Sequence, residues 1–263
     1  MPFIPFLYFD LTFVVLIPAI IVAMIANQMI KSNYIRYVAV YSRRDITGAE
    51  AARKILASRG IHDVAVEKLA PKNPDAFWAP PQRRHERHDN LDIANLKDHY
   101  DPRSRTVRLS ELVYESTSLS ALAIAAHEAG HAVQHAESYA PLMLRKALVP
   151  VVNFTSRISI PLFFTGIALG AFIPDSYIGI IFMQLAILFF GGVVLFQLVT
   201  LPVEFNASKR ARLLLLENYC IDEVEVKPIK KILNAAAFTY IAAALTSLLM
   251  LLRILLISNR RRR

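Results

Sequence analysis

Four long stretches without a charged residue limit what this chain can fold into. They are Leu11–Ile30, Ile158–Pro174, Tyr177–Pro202 and Ile232–Leu252. Each is close to the roughly 20 apolar residues that cross a bilayer as a helix. The charged residues, 19% of the chain, therefore crowd into the other segments, where their density is that of a water-soluble domain. The pattern predicts a mainly α membrane protein with about four transmembrane helices and a soluble part. It excludes a purely soluble globule, a disordered chain and a disulfide scaffold.

The first two stretches carry further signals. No basic residue precedes the first stretch, Asp10 lies directly before it, and its apolar run is too long for the core of a signal peptide. We therefore expect a retained transmembrane anchor. The second stretch is short and contains Pro161, but Gly166 and Gly170 have the GxxxG spacing that permits close helix contact.

The polar segment after the anchor is predicted to contain short helices and strands. Thr47 and Glu50 form a capping box, which opens a helix that stops at Gly60. Alternating apolar residues predict strands near 64–69 and at Thr106–Leu109. The second of these strands either binds an extended peptide by strand addition or lies inside a sheet.

Residues 71–93 are predicted to form a surface loop, because prolines and charged residues are frequent there. A lid or a partner-binding segment is the alternative.

Cys220 is the only cysteine, so no intrachain disulfide forms, and we interpret it as an inert thiol.

A zinc-binding motif lies in an Ala- and Leu-rich segment that is predicted to be helical from about Thr117 to Glu137. The motif is HExxH at residues 127–131. On a helix, His127 and His131 leave the same face one turn apart, so both can bind one Zn²⁺. Glu128 then lies beside the open coordination position, where it can act as the general base on zinc-activated water. The alternative is an amphipathic helix whose histidines only form hydrogen bonds.

A catalytic zinc site normally has a third protein ligand, and chain order favours Glu204. It is the first acidic residue after the third apolar stretch, and two membrane crossings separate it from the HExxH helix, which places both on one side. An ordinary acid at the membrane interface is the alternative. His135 repeats the histidine spacing, but it lies about 12 Å along the axis from His127 and roughly 80° around it. We therefore expect a polar contact there.

The sequence HEAGHAVQHAESYAPLMLRKALVPVVN, followed by LVTLPVEFNASKRA, resembles the YugP-type family of neutral zinc metallopeptidases of bacterial membranes. The likeness extends to TGAEAARKIL, DHYDPRSRTVRLSE and LNAAAFTYIAAAL. The resemblance implies a zinc-dependent, gluzincin-like peptidase with a small α+β zincin-like catalytic region and a short sheet. In such enzymes the third ligand is a glutamate on a second helix, which matches Glu204. Ser208 stands where that helix usually has an acid that orients a zinc-binding histidine. Residues 71–93 look like an insertion relative to the family.

Motif and resemblance together predict a membrane-embedded zinc metallopeptidase that hydrolyses protein or peptide substrates at or near the membrane. Zn²⁺ is its cofactor, with metal ligands His127, His131 and Glu204 and the catalytic residue Glu128. A noncatalytic zinc-binding membrane scaffold is the alternative. The predicted organisation is an N-terminal anchor (1–30), a catalytic region (31–148), a transmembrane hairpin (149–202), a helix with the third ligand (203–231), and a C-terminal transmembrane helix with a basic tail (232–263). The helix with the third ligand is expected to begin at Val203, because Pro202 suits a first turn.

The charge distribution predicts how the chain lies in the membrane. The net charge is +9, and Lys and Arg concentrate beside the apolar stretches on the side that carries the HExxH motif. This side is therefore predicted to be cytoplasmic, in a bacterial inner membrane. Arg253 and the tail at 260–263 conflict with that orientation. The lipid bilayer is the expected partner, and nucleic acid is not, because no nucleic-acid-binding motif accompanies the basic residues. Tyr139, Arg210 and His99 are candidates for stabilising the oxyanion.

Overall fold

Helices dominate the structure, a computed structural model that describes residues 11–69, 98–173 and 176–260. A 3₁₀ turn, Leu11–Leu16, leads into α1, Ile17–Val38. The following elements are α2 (Gly48–Ser58), β1 (Ala65–Lys68), β2 (His99–Asp101), β3 (Thr106–Leu109), α3 (Glu111–Tyr114), α4 (Leu119–Ala136), α5 (Ala140–Phe172), α6 (Tyr177–Glu217) and α7 (Glu223–Arg260). The predicted loop at 71–93 lies outside the described residues.

Four helices within the described residues are long and apolar enough to cross a membrane. They are Thr12–Val38, Ala140–Phe172, Tyr177–Glu217 and Glu223–Asn259. Together with the short sheet, they confirm the predicted fold class of a mainly α membrane protein with a small strand-containing region.

The helix α6 corrects one prediction. A new helix was expected to begin at Val203, with Pro202 in its first turn, but Pro202 lies inside one continuous helix. A proline removes one N–H and hence one helical hydrogen bond. Backbone groups in a bilayer have no water as an alternative partner, which favours continuing the helix on both sides of the proline. The third span and the segment with Glu204 are therefore one helix.

The chain divides into two compact units. The membrane unit consists of Met1–Gln28, Ala140–Glu204 and Ala237–Arg263, and the soluble unit consists of Met29–Tyr139 and Phe205–Ala236. Two of the divisions, after residues 204 and 236, fall inside the continuous helices α6 and α7.

Glycines bring α5 and α6 together in the membrane unit. A Cβ added at Gly166 would lie 2.8 Å from the carbonyl oxygen of Gly179. A Cβ at Gly179 would lie 3.2 Å from the backbone nitrogen of Gly170. The predicted role of the GxxxG pair, close helix contact, is confirmed, because side chains at these positions would separate the two backbones.

The soluble unit has a three-stranded sheet with the order β1-β3-β2. Strand β1 is parallel to β3, and β2 is antiparallel to it. Since β3 is paired along both edges, it is not open to strand addition, and of the two interpretations offered for it the internal strand is correct. Strand β2 was not predicted, because three residues are too few for an alternating pattern to be recognised.

Local signals explain how the helices of the soluble unit begin. The capping box is confirmed: Thr47 Oγ1 accepts from the N–H of Glu50, and the Glu50 carboxylate accepts from the N–H of Thr47. The hydroxyl of Ser118 caps α4 in the same way by accepting from the N–H of Ala121. The buried face of α4 is built largely of alanine, which allows neighbouring elements to pack closely against it.

Cys220 is buried, and burial raises the pKa of its thiol, as expected of an inert thiol.

Candidate metal centre

The two motif histidines lie side by side on α4, as expected for residues one turn apart. Their ring centroids are 4.7 Å apart, and the rings are nearly perpendicular, at 82°. Glu128, the next residue after His127, projects to the side of this pair because each helical residue advances about 100° around the axis.

Glu204 reaches the same place through α6. One potential ligand atom from each of His127, His131 and Glu204 lies within 4.8 Å of the other two. Gly130 explains the approach of the two helices, because a Cβ there would lie only 3.0 Å from the carbonyl oxygen of Ala207. Ala207 follows Glu204 by one helical turn, so the stretch of α6 that packs against Gly130 also positions Glu204.

This donor set fits zinc. Two histidines and one glutamate are a known ligand set of catalytic zinc, which keeps a further position open. Ligands about 2.1 Å from a tetrahedral ion are about 3.4 Å apart, and the three candidate ligand atoms here lie within 4.8 Å of one another. Within the described part of the chain, this is the one group of three His, Cys, Asp or Glu residues that can share an ion.

Polar side chains hold both imidazoles at Nδ1. The Nδ1 of His127 lies 3.3 Å from Ser208 Oγ, and the Nδ1 of His131 lies 3.0 Å from Gln134 Oε1. Ser208, which departs from the acid of the family pattern, therefore still contacts a histidine of the motif. Contacts of this kind fix the orientation of a metal-binding imidazole and leave Nε2 to face the ion.

The hydrogen bond from Arg210 determines which ring nitrogen of His131 carries a proton. Arg210 Nε, which only donates, lies 2.7 Å from Asn206 Oδ1, and the same oxygen accepts from Gln134 Nε2 at 2.9 Å. Since Gln134 Nε2 faces Asn206, Gln134 Oε1 faces His131. This oxygen accepts a hydrogen bond from the N–H at His131 Nδ1. The Arg210 guanidinium thus selects the tautomer of His131 through the side-chain amides of Asn206 and Gln134.

Arg210 continues this network away from the histidines. Its Nη1 lies 2.6 Å from Glu137 Oε2, and its guanidinium carbon lies 5.9 Å from the ring centroid of Tyr139. Two of the three residues suggested for the oxyanion are therefore in contact with each other.

Strand β2 contacts the general-base candidate. The main-chain N–H of Tyr100 donates to Glu128 Oε2 at 2.9 Å, which fixes the carboxylate. The hydroxyl of Tyr100 lies 2.7 Å from His135 Nδ1. The expectation of a polar contact for His135 is confirmed, with Tyr100 as its partner.

A second carboxyl group lies in the electrostatic environment of Glu128. Burial raises the pKa of Asp98 to about 6, and the negative charge of Glu128 contributes in the same direction. The N–H of Ser110, 2.6 Å from Asp98 Oδ1, and the Ser110 hydroxyl act against this rise. Asp98 therefore ionises at a higher pH than an ordinary aspartate, which its place in the sequence did not indicate.

Glu204 is almost fully buried, with 1% of its surface exposed. Its Oε1 accepts from Nη1 of Arg145 on α5, 2.6 Å away, within the membrane unit. A buried carboxylate needs such a partner, and its two oxygens allow it to bind an arginine and a metal ion together. The sequence had indicated Arg145 only as one of many basic residues near a membrane span.

Comparison with known proteins agrees with this geometry. A family model described as "Putative neutral zinc metallopeptidase" matches residues 12–84 and 91–259. The chain belongs to this family of neutral zinc metallopeptidases. Zinc is therefore its cofactor, and His127, His131 and Glu204 are positioned to bind the ion.

One relative in the zinc metallopeptidase family is a named bacterial protein. The chain is 43% identical over 232 residues to "Putative membrane protease YugP" of Bacillus subtilis strain 168. The aligned region covers 88% of this chain and 89% of that protein. The family match has one internal gap, at residues 85–90, which lies within the segment 71–93 that was expected to be an insertion. No solved structure is significantly similar to the chain.

Proposed function

We propose that this metallopeptidase is an endopeptidase that cleaves membrane or membrane-proximal proteins, with Glu128 as its general base. The observation that carries the proposal is the meeting of His127, His131 and Glu204 beside a carboxylate that the backbone of Tyr100 holds in place. A structural zinc site is closed by four protein ligands and needs no carboxylate beside it, whereas a catalytic site keeps one position open for water.

The side chains divide the chemistry among them. When bound, Zn²⁺ supplies Lewis acidity, which polarises the scissile carbonyl and acidifies water. The Glu128 carboxylate, whose Oε2 accepts from the main-chain N–H of Tyr100, takes a proton from the attacking water and passes it to the leaving amine. Gln134 and Ser208 keep the imidazoles oriented, and Arg145 holds the Glu204 carboxylate.

We further propose that the centre faces the cytoplasm from a bacterial inner membrane. Support comes from the positive charge that flanks the spans on the side of the HExxH motif. These basic residues are Lys31, Arg36, Arg43, Arg44, Arg145, Lys146, Arg157, Lys209, Arg210, Arg212, Lys227, Lys230 and Lys231.

The test compares the full-length protein with two variants. We expect Glu128→Gln to bind zinc as the wild type does but to lose cleavage, because the amide cannot accept the proton. His127→Ala is expected to lose zinc and activity together. Protein fragments with new N-termini in wild-type membranes, absent from Glu128→Gln membranes, identify the substrates. Identical fragment patterns in both strains would favour the scaffold function instead.

A further inference from the structure

His135 carries an imidazole of α4 that the metal centre does not use. It follows His131 by one helical turn, but its Nδ1 lies 2.7 Å from the hydroxyl of Tyr100 on β2. The two rings are in contact, with centroids 5.8 Å apart and planes tilted by 58°. Both residues are half-buried in the soluble unit. His135 therefore binds the same residue whose backbone contacts Glu128.

Tyr100 contacts α4 at two separate points. Its main-chain N–H donates to Glu128 Oε2 at 2.9 Å, and its hydroxyl bonds His135. Glu128 and His135 are seven residues apart, so they share a face of α4 and lie about 10 Å apart along it. Tyr100 thus follows this face over two helical turns. The bond at the N–H alone would allow the residue to pivot, whereas two bonds fix both its position and its direction.

The chemistry of tyrosine suits it to this second bond. Two rotatable bonds join the ring to the backbone, so fixing the hydroxyl also restricts the N–H. A phenol both donates and accepts, and it can therefore bond either tautomer of His135. Burial, and to a smaller extent the charge of Asp101, raises the pKa of Tyr100, which keeps the hydroxyl protonated.

The sheet holds β2 from its other side. Tyr100 lies opposite Val107 of β3 but turns its N–H towards Glu128. The carboxylate of Asp101 accepts from Arg108 Nη1 at 3.1 Å, which ties the end of β2 to β3. A strand of only three residues has few ladder bonds, so contacts outside the sheet contribute to its rigidity.

We propose that His135 is a positioning residue of the peptidase. By binding the Tyr100 hydroxyl, it holds the Tyr100 N–H on Glu128 and keeps that carboxylate oriented for proton transfer. This inference rests on the proposed role of Glu128 as general base. Proton transfer depends on alignment, and a displacement of about 1 Å can lower the rate about 100-fold.

Hydrogen exchange tests this arrangement without relying on cleavage. The exchange rate of the amide of residue 100 is measured by mass spectrometry with fragmentation, in the full-length protein loaded with zinc in detergent. We expect His135→Leu and Tyr100→Phe to raise this rate about tenfold, because the strand opens more often. Glu128→Ala removes the acceptor of the amide and gives the rate expected without the bond.

Matched variants separate the hydrogen bond from other effects of substitution. His135→Asn keeps a polar atom close to the position of Nδ1 and is expected to restore slow exchange and most of kcat. Tyr219→Phe makes the same change as Tyr100→Phe at an exposed tyrosine of the soluble unit. It should change neither exchange at residue 100 nor kcat.

Cleavage of dye-labelled casein measures the consequence for catalysis. His135→Leu and Tyr100→Phe are expected to lower kcat about tenfold, with KM within about twofold of the wild type and zinc content unchanged. The double variant should lose no more than either single variant, because both substitutions remove the same bond.

Two results would overturn the positioning role: unchanged exchange at residue 100 in His135→Leu, or faster exchange with unchanged kcat. The second result is that of a purely structural contact, which lowers the melting temperature without affecting kcat. Failure of the proposed function looks different. In that case exchange responds as described, but wild-type protein loaded with zinc cleaves neither casein nor any other protein or peptide.

Discussion

Gln134 offers the sharpest test of how the metal centre is held together. Its side chain is fully buried, accepts from His131 Nδ1 and donates to Asn206. Replacement by leucine preserves much of the volume and removes both hydrogen bonds. The proton on His131 Nδ1 then has lost the acceptor that fixed the ring, and Asn206 has lost its link to α4.

The size of the effect follows from these contacts. Leaving a buried donor without a partner costs about 1–3 kcal/mol. If this cost is larger in the zinc-bound protein than in the zinc-free protein, zinc affinity falls. Removing the hydrogen-bond partner of a metal-binding histidine typically lowers metal affinity 10–100-fold. We therefore expect Gln134→Leu to weaken zinc binding by about 1.4–2.7 kcal/mol.

The assay is a competition between the purified full-length protein and a fluorescent zinc chelator. Gln134→Glu is the matched variant, because its carboxylate still accepts from His131 Nδ1 but cannot donate to Asn206. It should keep zinc affinity near that of the wild type while losing thermal stability. Zinc affinity within twofold of the wild type for Gln134→Leu, or an equal loss for both variants, would refute the role assigned to Gln134.

Three further predictions concern other parts of the molecule. Gly130→Ala should lower zinc affinity and activity, because its Cβ would press on Ala207, whereas Gly191→Ala, with open space around its Cβ, should leave both unchanged; zinc titration and peptide cleavage compare the two. Burial raises the pKa of Asp98 from an ordinary 3.8 to about 6. Between these two pH values the folded protein binds more protons than the unfolded chain. The free energy of unfolding therefore falls as the pH rises through this range. Asp98→Asn should therefore raise the melting temperature in detergent at about pH 7.5 and have little effect at about pH 4, and an equal effect at both would contradict the assignment. Thr47→Ala should cost about 1 kcal/mol in unfolding free energy by removing the cap of α2, and an unchanged denaturation midpoint would show that the capping box is not stabilising.

The parts of the centre visible in the sequence are those that depend on spacing along the chain. The fixed period of a helix pairs His127 with His131, and the even number of membrane crossings brings Glu204 back to their side. The contacts of Gln134 and Arg145 could not be predicted, because they depend on the distance between separate helices. Gly130 could have indicated the close approach of α6, since it is the one position inside the motif without a side chain.

Strand β2 and Pro202 show two different limits of reasoning from sequence. A three-residue strand has no recognisable period, so the contacts of Tyr100 with Glu128 and His135 were missed. Pro202 was assigned to the start of a helix because such a position suits proline in water. In a membrane helix the cost of exposing further backbone groups outweighs the loss of one hydrogen bond, and α6 continues through it.

The zinc content of purified full-length variants tests the central claim most directly. The account predicts about one equivalent of zinc per chain in the wild type and in Glu128→Gln, as expected for a single catalytic site. It predicts almost none in His127→Ala or Glu204→Ala, measured by mass spectrometry of the metal after dialysis. A wild-type protein that retains no zinc, or a Glu204→Ala variant that retains it as firmly as the wild type, would contradict a metal centre built from α4 and α6.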